Sequence, residues 1–156
     1  MIRGIHHVAV HVHDLDRMIR FYREAFGFEV VGSGFEWAGV PVLDHILDVP
    51  GTAARGVTMR AGTCYFELFQ FSAPEPESTR PLAPHDKGYT HFCVDVTDIE
   101  AECERLKTVG MTFGDRAPID MGHVKTLYGR DPEGNVIEIQ ETAPHSDVGL
   151  ANLPRR

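Results

Sequence analysis

The chain has 156 residues, 42% of them hydrophobic and 24% charged, a composition of ordinary globular type with length for one core or two small fused repeats. A net charge of −8 and the absence of any Lys/Arg run argue against a nucleic-acid partner, and no apolar stretch approaches a membrane span. Three cysteines cannot all pair and have no zinc-site spacing; Cys64 and Cys93 fall within apparent strands and are expected as reduced, buried thiols. A strand starts so near the N-terminus that no signal peptide fits, which makes the cytoplasm the expected location.

The first predicted strand is His7 to Val12, with valines on one face and His7, Ala9 and His11 on the other. Asp14 can cap the helix that follows, whose apolar stripe of Leu15, Met18, Ile19, Tyr22, Ala25 and Phe26 ends at Gly27. Phe28 to Gly32 reads as a second strand. The apolar run from Pro41 to Leu47 is too short to hold a helix in water, so it is expected to pack on something before the Pro50-Gly51 turn. Its Val42, Leu43, Ile46 and Leu47, with Trp37 and Phe69, are either core or the walls of an apolar pocket.

Arg55 to Ala61 and Thr63 to Phe71 read as a hairpin across Gly62. In its second strand Tyr65, Glu67, Phe69 and Phe71 share a face, which places a carboxylate among three aromatics. Four prolines between Ser72 and Gly88 mark a linker. A strand at His91 to Val96 follows, then a helix opened by a Thr97/Glu100 capping box and stopped at Gly110. Met111 to Phe113, Val124 to Tyr128 and Val136 to Gln140 complete three further strands, and a polar tail without periodicity closes the chain.

The two halves repeat. At an offset of 84, His7 matches His91, Val10 matches Val94, Asp14 matches Asp98 and Leu15 matches Ile99. Each half is strand, helix, then three strands, an α+β arrangement of two βαβββ modules forming one cup-shaped mixed sheet with the helices outside. The modules span residues 5–72 and 88–142 of a single domain (1–156), joined by a linker at 73–87 and followed by a tail at 143–156. Strand parity turns His7, Glu67, His91 and Glu138 to the face opposite the helices. Two imidazoles and two carboxylates suit one borderline divalent ion, Ni, Co, Zn, Mn or Fe, and disfavour calcium. Buried carboxylates cost several kcal/mol each without a partner, and a cation relieves that cost. His11 and Asp95 share this parity at matching places and belong either to a solvated rim or to a substrate contact. Lys125, Tyr128 and Arg60 lie on strands near the same face.

His7-Val8-Ala9-Val10 with Asp14-Leu15-Asp16-Arg17, the second opening Tyr89-Thr90-His91-Phe92, and the closing Arg130-Asp131-Pro132-Glu133-Gly134-Asn135 with Val136-Ile137-Glu138 resemble the vicinal oxygen chelate superfamily. The resemblance runs from Ile5 to Glu141. It implies paired βαβββ modules, a metal in the cup, a small substrate that chelates through neighbouring oxygens, and a homodimer. Two His and two Glu is the set seen in many glyoxalase I enzymes of this superfamily, although no glutathione-site pattern is evident. The expected activity is therefore metal-dependent proton transfer by a lyase or isomerase, with Glu138 and Glu67 as acid–base groups and Glu138 as the base. The alternatives are an extradiol dioxygenase acting on a dihydroxylated aromatic, which would use two His and one Glu on iron, and a small-molecule binding or resistance protein.

Overall fold

The structure, a computed structural model, describes residues 2–76 and 80–153. It contains two compact units, Met1–Thr79 and Arg80–Arg156. The division falls inside the expected linker, of which residues 77–79 lie outside the described residues, as do 154–156 of the tail.

Unit 1 runs β1 (His7–His11), α1 (Leu15–Phe26), β2 (Glu29–Ala38), α2 (Pro41–Leu47), β3 (Ala53–Ala61) and β4 (Cys64–Ala73). Its mixed sheet has the order β1-β4-β3-β2, with β1 parallel to β4 and the other pairs antiparallel. Unit 2 runs β5 (His91–Asp95), α3 (Ile99–Thr108), β6 (Ile119–Asp120), β7 (Val124–Arg130) and β8 (Val136–Thr142). Its sheet order, β5-β8-β7-β6, repeats that of unit 1. The α+β class and the repeated mixed sheet follow the sequence expectation. Among the described residues no helix is long and apolar enough to cross a membrane.

Helices α1 and α3 each cover one face of their own sheet because their apolar stripes have nowhere else to go. In unit 1, Leu15, Met18, Tyr22 and Ala25 bury with Val57, Met59, Phe66 and Leu68; in unit 2, Ile99, Cys103 and Leu106 bury with Leu127, Ile137 and Ile139. Each of the Val, Leu, Ile, Phe and Met side chains among them, removed from water, contributes roughly 1.5–3 kcal/mol. The polar ties between helix and sheet repeat as well. The first helical N–H of α1 donates to Gln70 Oε1 at 3.2 Å, and that of α3 donates to Glu141 Oε2 at 3.1 Å. Arg55 donates to Asp16 at 2.9 Å, and Lys125 to Glu100 at 3.1 Å.

Several local expectations need correction. Strand β2 continues past Gly32 to Ala38 after a shift in register between Val31 and Phe35. Gly34 permits this: its φ is +79°, and a Cβ there would meet the Gly56 carbonyl oxygen at 2.8 Å. The second half has no strand at Met111 to Phe113. Only the bridge Thr112↔Arg130 forms there, Met111 and Phe113 being sunk in the core, and the two-residue β6 takes the edge.

The cap of α3 is Asp98 and not Thr97. Asp98 sits in left-handed backbone at φ 56° and accepts from the Ala101 N–H at 3.3 Å, as Asp14 accepts from the Arg17 N–H at 2.9 Å. Cys93 is exposed and Cys64 half-buried, so of the three thiols Cys103 alone is buried. The tail is not featureless: Leu150–Asn152 makes one turn of 3-10 helix, Ser146 is buried, and Asn152 donates to the Ser146 carbonyl at 3.1 Å.

Helix α2 buries none of its residues, although it is expected to pack on something; Val42 is 59% and Ile46 69% exposed. A polar clamp holds it instead. The Asp44 carboxylate accepts from the Gly51 and Thr52 N–H groups, each at 2.8 Å, and from the Thr52 hydroxyl at 2.5 Å. These donors, the Thr52 hydroxyl first, hold the Asp44 carboxyl below its ordinary range.

Candidate functional site

The four predicted residues form two pairs, one in each unit. Register explains each pair. On parallel neighbours β1 and β4, His7 lies opposite Tyr65 and Ala9 opposite Glu67, so His7 and Glu67 are diagonal neighbours on one face. In unit 2 His91 lies opposite Val136 and Cys93 opposite Glu138, the same offset. His7 Nε2 is 3.4 Å from Glu67 Oε2, and His91 Nε2 is 3.5 Å from Glu138 Oε2. The carboxylates are sheltered, their side chains 18% and 16% exposed, while the imidazoles reach further out.

In each carboxylate one oxygen is held and the other faces the imidazole. The Thr58 hydroxyl donates to Glu67 Oε1 at 3.0 Å, and the Thr126 hydroxyl donates to Glu138 Oε1 at 2.6 Å. On each imidazole Nδ1 has a neighbour: His6 Nδ1 at 3.0 Å from His7, and Thr90 Oγ1 at 2.9 Å from His91. An Nδ1–H given to such a neighbour leaves the Nε2 lone pair for a cation, which is how metal-bound histidines are commonly oriented. The donor set therefore fits a divalent ion of nitrogen and oxygen preference. Within either unit, among the described residues, no third His, Cys, Asp or Glu joins its pair as a ready metal cluster.

Around Glu138 the surroundings are richer. Tyr128 lies opposite it on β7; its hydroxyl is 3.4 Å from His91 Nε2 and the two rings meet edge to face at 5.0 Å. Burial, then a hydrogen bond to Glu138, pushes the Tyr128 hydroxyl above its ordinary range. The Cys93 thiol is pushed up to about 12, first by desolvation and then by the charges of Glu138 and Asp95. It stays a neutral donor beside Glu138 although the residue keeps an exposed edge.

Other candidates resolve into different roles. His11 Nε2 accepts the Phe71 N–H at 3.3 Å, and Asp95 Oδ1 accepts the Thr142 N–H at 3.2 Å, matching ties at the end of each last strand. Arg60 pairs with Glu29 at 3.1 Å, and Lys125 turns to α3. Of the expected pocket residues on α2, Val42, Ile46 and Leu47 are exposed. Sequence reasoning passed over Thr58, Thr126 and Cys93. The alternation Thr126-Leu127-Tyr128 and the match of Ala9 with Cys93 are the signals that point to them.

The closing turn that leads into β8 is held by one carboxylate. Asp131, 3% exposed, accepts from the N–H groups of Glu133 and Asn135 and from the Asn135 side chain, each at 2.9 Å. That turn sets the register of Glu138. Residues 4–139 match the family model described as the Glyoxalase/Bleomycin resistance protein/Dioxygenase superfamily. The chain belongs to this superfamily. Metal binding is typical of its members.

Among curated relatives is a 2-epi-5-epi-valiolone epimerase from Actinomyces sp, 31% identical over 143 residues that cover 87% of this chain and 78% of that enzyme. The lactoylglutathione lyase of Schizosaccharomyces pombe is 27% identical over 157 residues, covering 92% of this chain but only 50% of its own length. A glyoxalase family protein of Bacillus cereus has the same fold, with a TM-score of 0.79 at 21% identity, over 91% of this chain and 95% of that one.

Proposed function

We propose that the chain is a divalent-metal-dependent enzyme of the glyoxalase-like type that moves a proton on a small substrate carrying neighbouring oxygens. His7, Glu67, His91 and Glu138 are the proposed ligands of one ion per chain, whether Ni, Co, Zn, Mn or Fe. The observation that carries this reading is the His–Glu contact made twice, in one register and at 3.4 and 3.5 Å. Two sheltered carboxylates each beside an imidazole are a costly arrangement unless a cation joins them.

When bound, such an ion would polarise a substrate carbonyl and lower the barrier to losing a neighbouring C–H proton. Glu138 is the proposed base. Thr126 fixes its Oε1, so Oε2 is the oxygen that takes the proton. Tyr128 on β7 and Cys93 on β5 both lie opposite Glu138 and flank its carboxylate. Glu67, with Thr58 on its Oε1, is the proposed group that returns the proton, which gives isomerisation or lyase chemistry. An epimerase and a lyase among the relatives favour proton transfer over oxygen insertion.

Exchange of a substrate's α-proton with deuterated solvent, followed by NMR across a panel of small 2-hydroxy acids and 2-oxo aldehydes, tests this. Wild-type protein is expected to exchange one of them. Glu138→Gln is expected to slow that exchange at least a hundredfold while retaining part of the metal, in line with removal of a general base. Exchange at the wild-type rate in Glu138→Gln would remove Glu138 as the base.

A further inference from the structure

The faces that carry the two His–Glu pairs differ in what lies beyond the pair. In unit 1 the strand that bears Glu67 continues on the same face with Phe69 and Phe71, and β2, the edge strand beyond β3, contributes Phe35 and Trp37. Phe35 lies opposite Gly56, which lies opposite Phe69, so the three share one row across the sheet. The rings form one continuous shelf: Phe35 to Phe69 at 5.0 Å, Phe69 to Phe71 stacked at 5.8 Å, and Trp37 edge-on to Phe71 at 5.9 Å. All four remain only half-buried.

The shelf is built rather than incidental. A Cβ at Gly56 would meet the Phe35 ring at 2.5 Å and the Leu68 carbonyl oxygen at 2.4 Å, so a bare backbone is what lets Phe35 lie flat on the sheet. The indole N–H of Trp37 donates to Thr52 Oγ1 at 2.9 Å, and that hydroxyl donates to Asp44 at 2.5 Å. The polar edge of the shelf is thereby satisfied, and what it offers outward is ring surface. The corresponding places in unit 2 are polar: Gln140 stands for Phe69 and Thr142 for Phe71, both bonded to Asp95.

We infer that Phe35, Trp37, Phe69 and Phe71 form the specificity subsite for a flat aromatic substituent of the substrate. This rests on the reading that His7 and Glu67 help to bind the oxygen-bearing end. Residues two apart on a strand stand about 7 Å apart, so the Phe69 ring begins one substituent's length from Glu67. The substrate class that fits is a vicinal-oxygen compound with an aryl group on the oxygen-bearing carbon. Offset and edge-to-face ring contacts favour an aryl group over an alkyl group of like polarity.

Mandelate and lactate differ by phenyl against methyl at that carbon and serve as probes. Their binding to the Zn(II)-loaded protein can be read by calorimetry and by the emission of Trp37, the sole tryptophan of the chain. Mandelate is expected to bind at least tenfold tighter than lactate and to change Trp37 emission. The double variant Phe35→Leu/Phe69→Leu is expected to reduce the preference below threefold, with circular dichroism and metal content unchanged. Equal affinities, no binding of either acid, or an undiminished preference in a folded variant would each overturn the subsite. If that variant does not fold, Trp37→Leu carries the same test through calorimetry. Repeating the titrations on metal-stripped protein separates the two readings. A phenyl preference that survives there leaves the shelf standing even if the metal assignment fails, whereas a metal-loaded protein without the preference removes the shelf alone.

Discussion

Units 1 and 2 agree where helix meets sheet and differ on the opposite face. Gln70 and Glu141 tie the first turn of α1 and α3, Asp14 and Asp98 cap those helices, and Arg55–Asp16 repeats as Lys125–Glu100. Beyond the shared His–Glu pair, unit 1 presents Ala9, Thr58, Phe69 and Phe71, and unit 2 presents Cys93, Tyr128, Gln140 and Thr142. The shared bonds are those any helix on such a sheet requires, since its first N–H groups need acceptors. The differing residues are not required by the fold. Beyond the pair, that face is aromatic in unit 1 and polar in unit 2.

The sharpest way to test the shared scaffold is through its core. Leu68 and Ile139 occupy equivalent positions and both are fully buried. Leu68→Ala and Ile139→Ala should each cost about 2–5 kcal/mol in urea unfolding. A loss below about 1 kcal/mol in one of them would mean that the two cores are not equivalent. The two helix caps differ by less. Asp14→Ala should cost about 1 kcal/mol through the lost side-chain acceptor. Asp98→Ala should cost roughly 1–2 kcal/mol more, because alanine must also hold the left-handed backbone at φ 56°. Equal costs by thermal unfolding would contradict that difference.

Much of this was legible in the sequence because it rests on period. The valines opposite His7, Ala9 and His11 and the helical stripe from Leu15 to Phe26 follow from burial on one side alone. The face of Glu67 was legible for the same reason. What escaped depends on contacts that no local pattern carries. Helix α2 looked like a packed element because Val42, Ile46 and Leu47 are apolar, yet the Asp44–Thr52 clamp is what secures it. Thr97 has the capping-box spacing, yet Asp98 takes the role by adopting backbone that aspartate tolerates better than threonine does. Met111 and Phe113 alternate like a strand, but both point into the core and leave only a bridge behind. The Thr58 and Thr126 contacts needed the strand register, which the sequence expresses only across a hairpin.

If the repeated His–Glu pair holds a metal, as proposed, metal content follows the pair. Elemental analysis of protein purified without added metal should find one divalent ion per chain in the wild type. His7→Ala and Glu138→Ala, which remove one proposed ligand from each unit, should both lose most of it. Full occupancy in both variants, or wild-type protein that takes up no divalent ion when it is supplied, would contradict the claim.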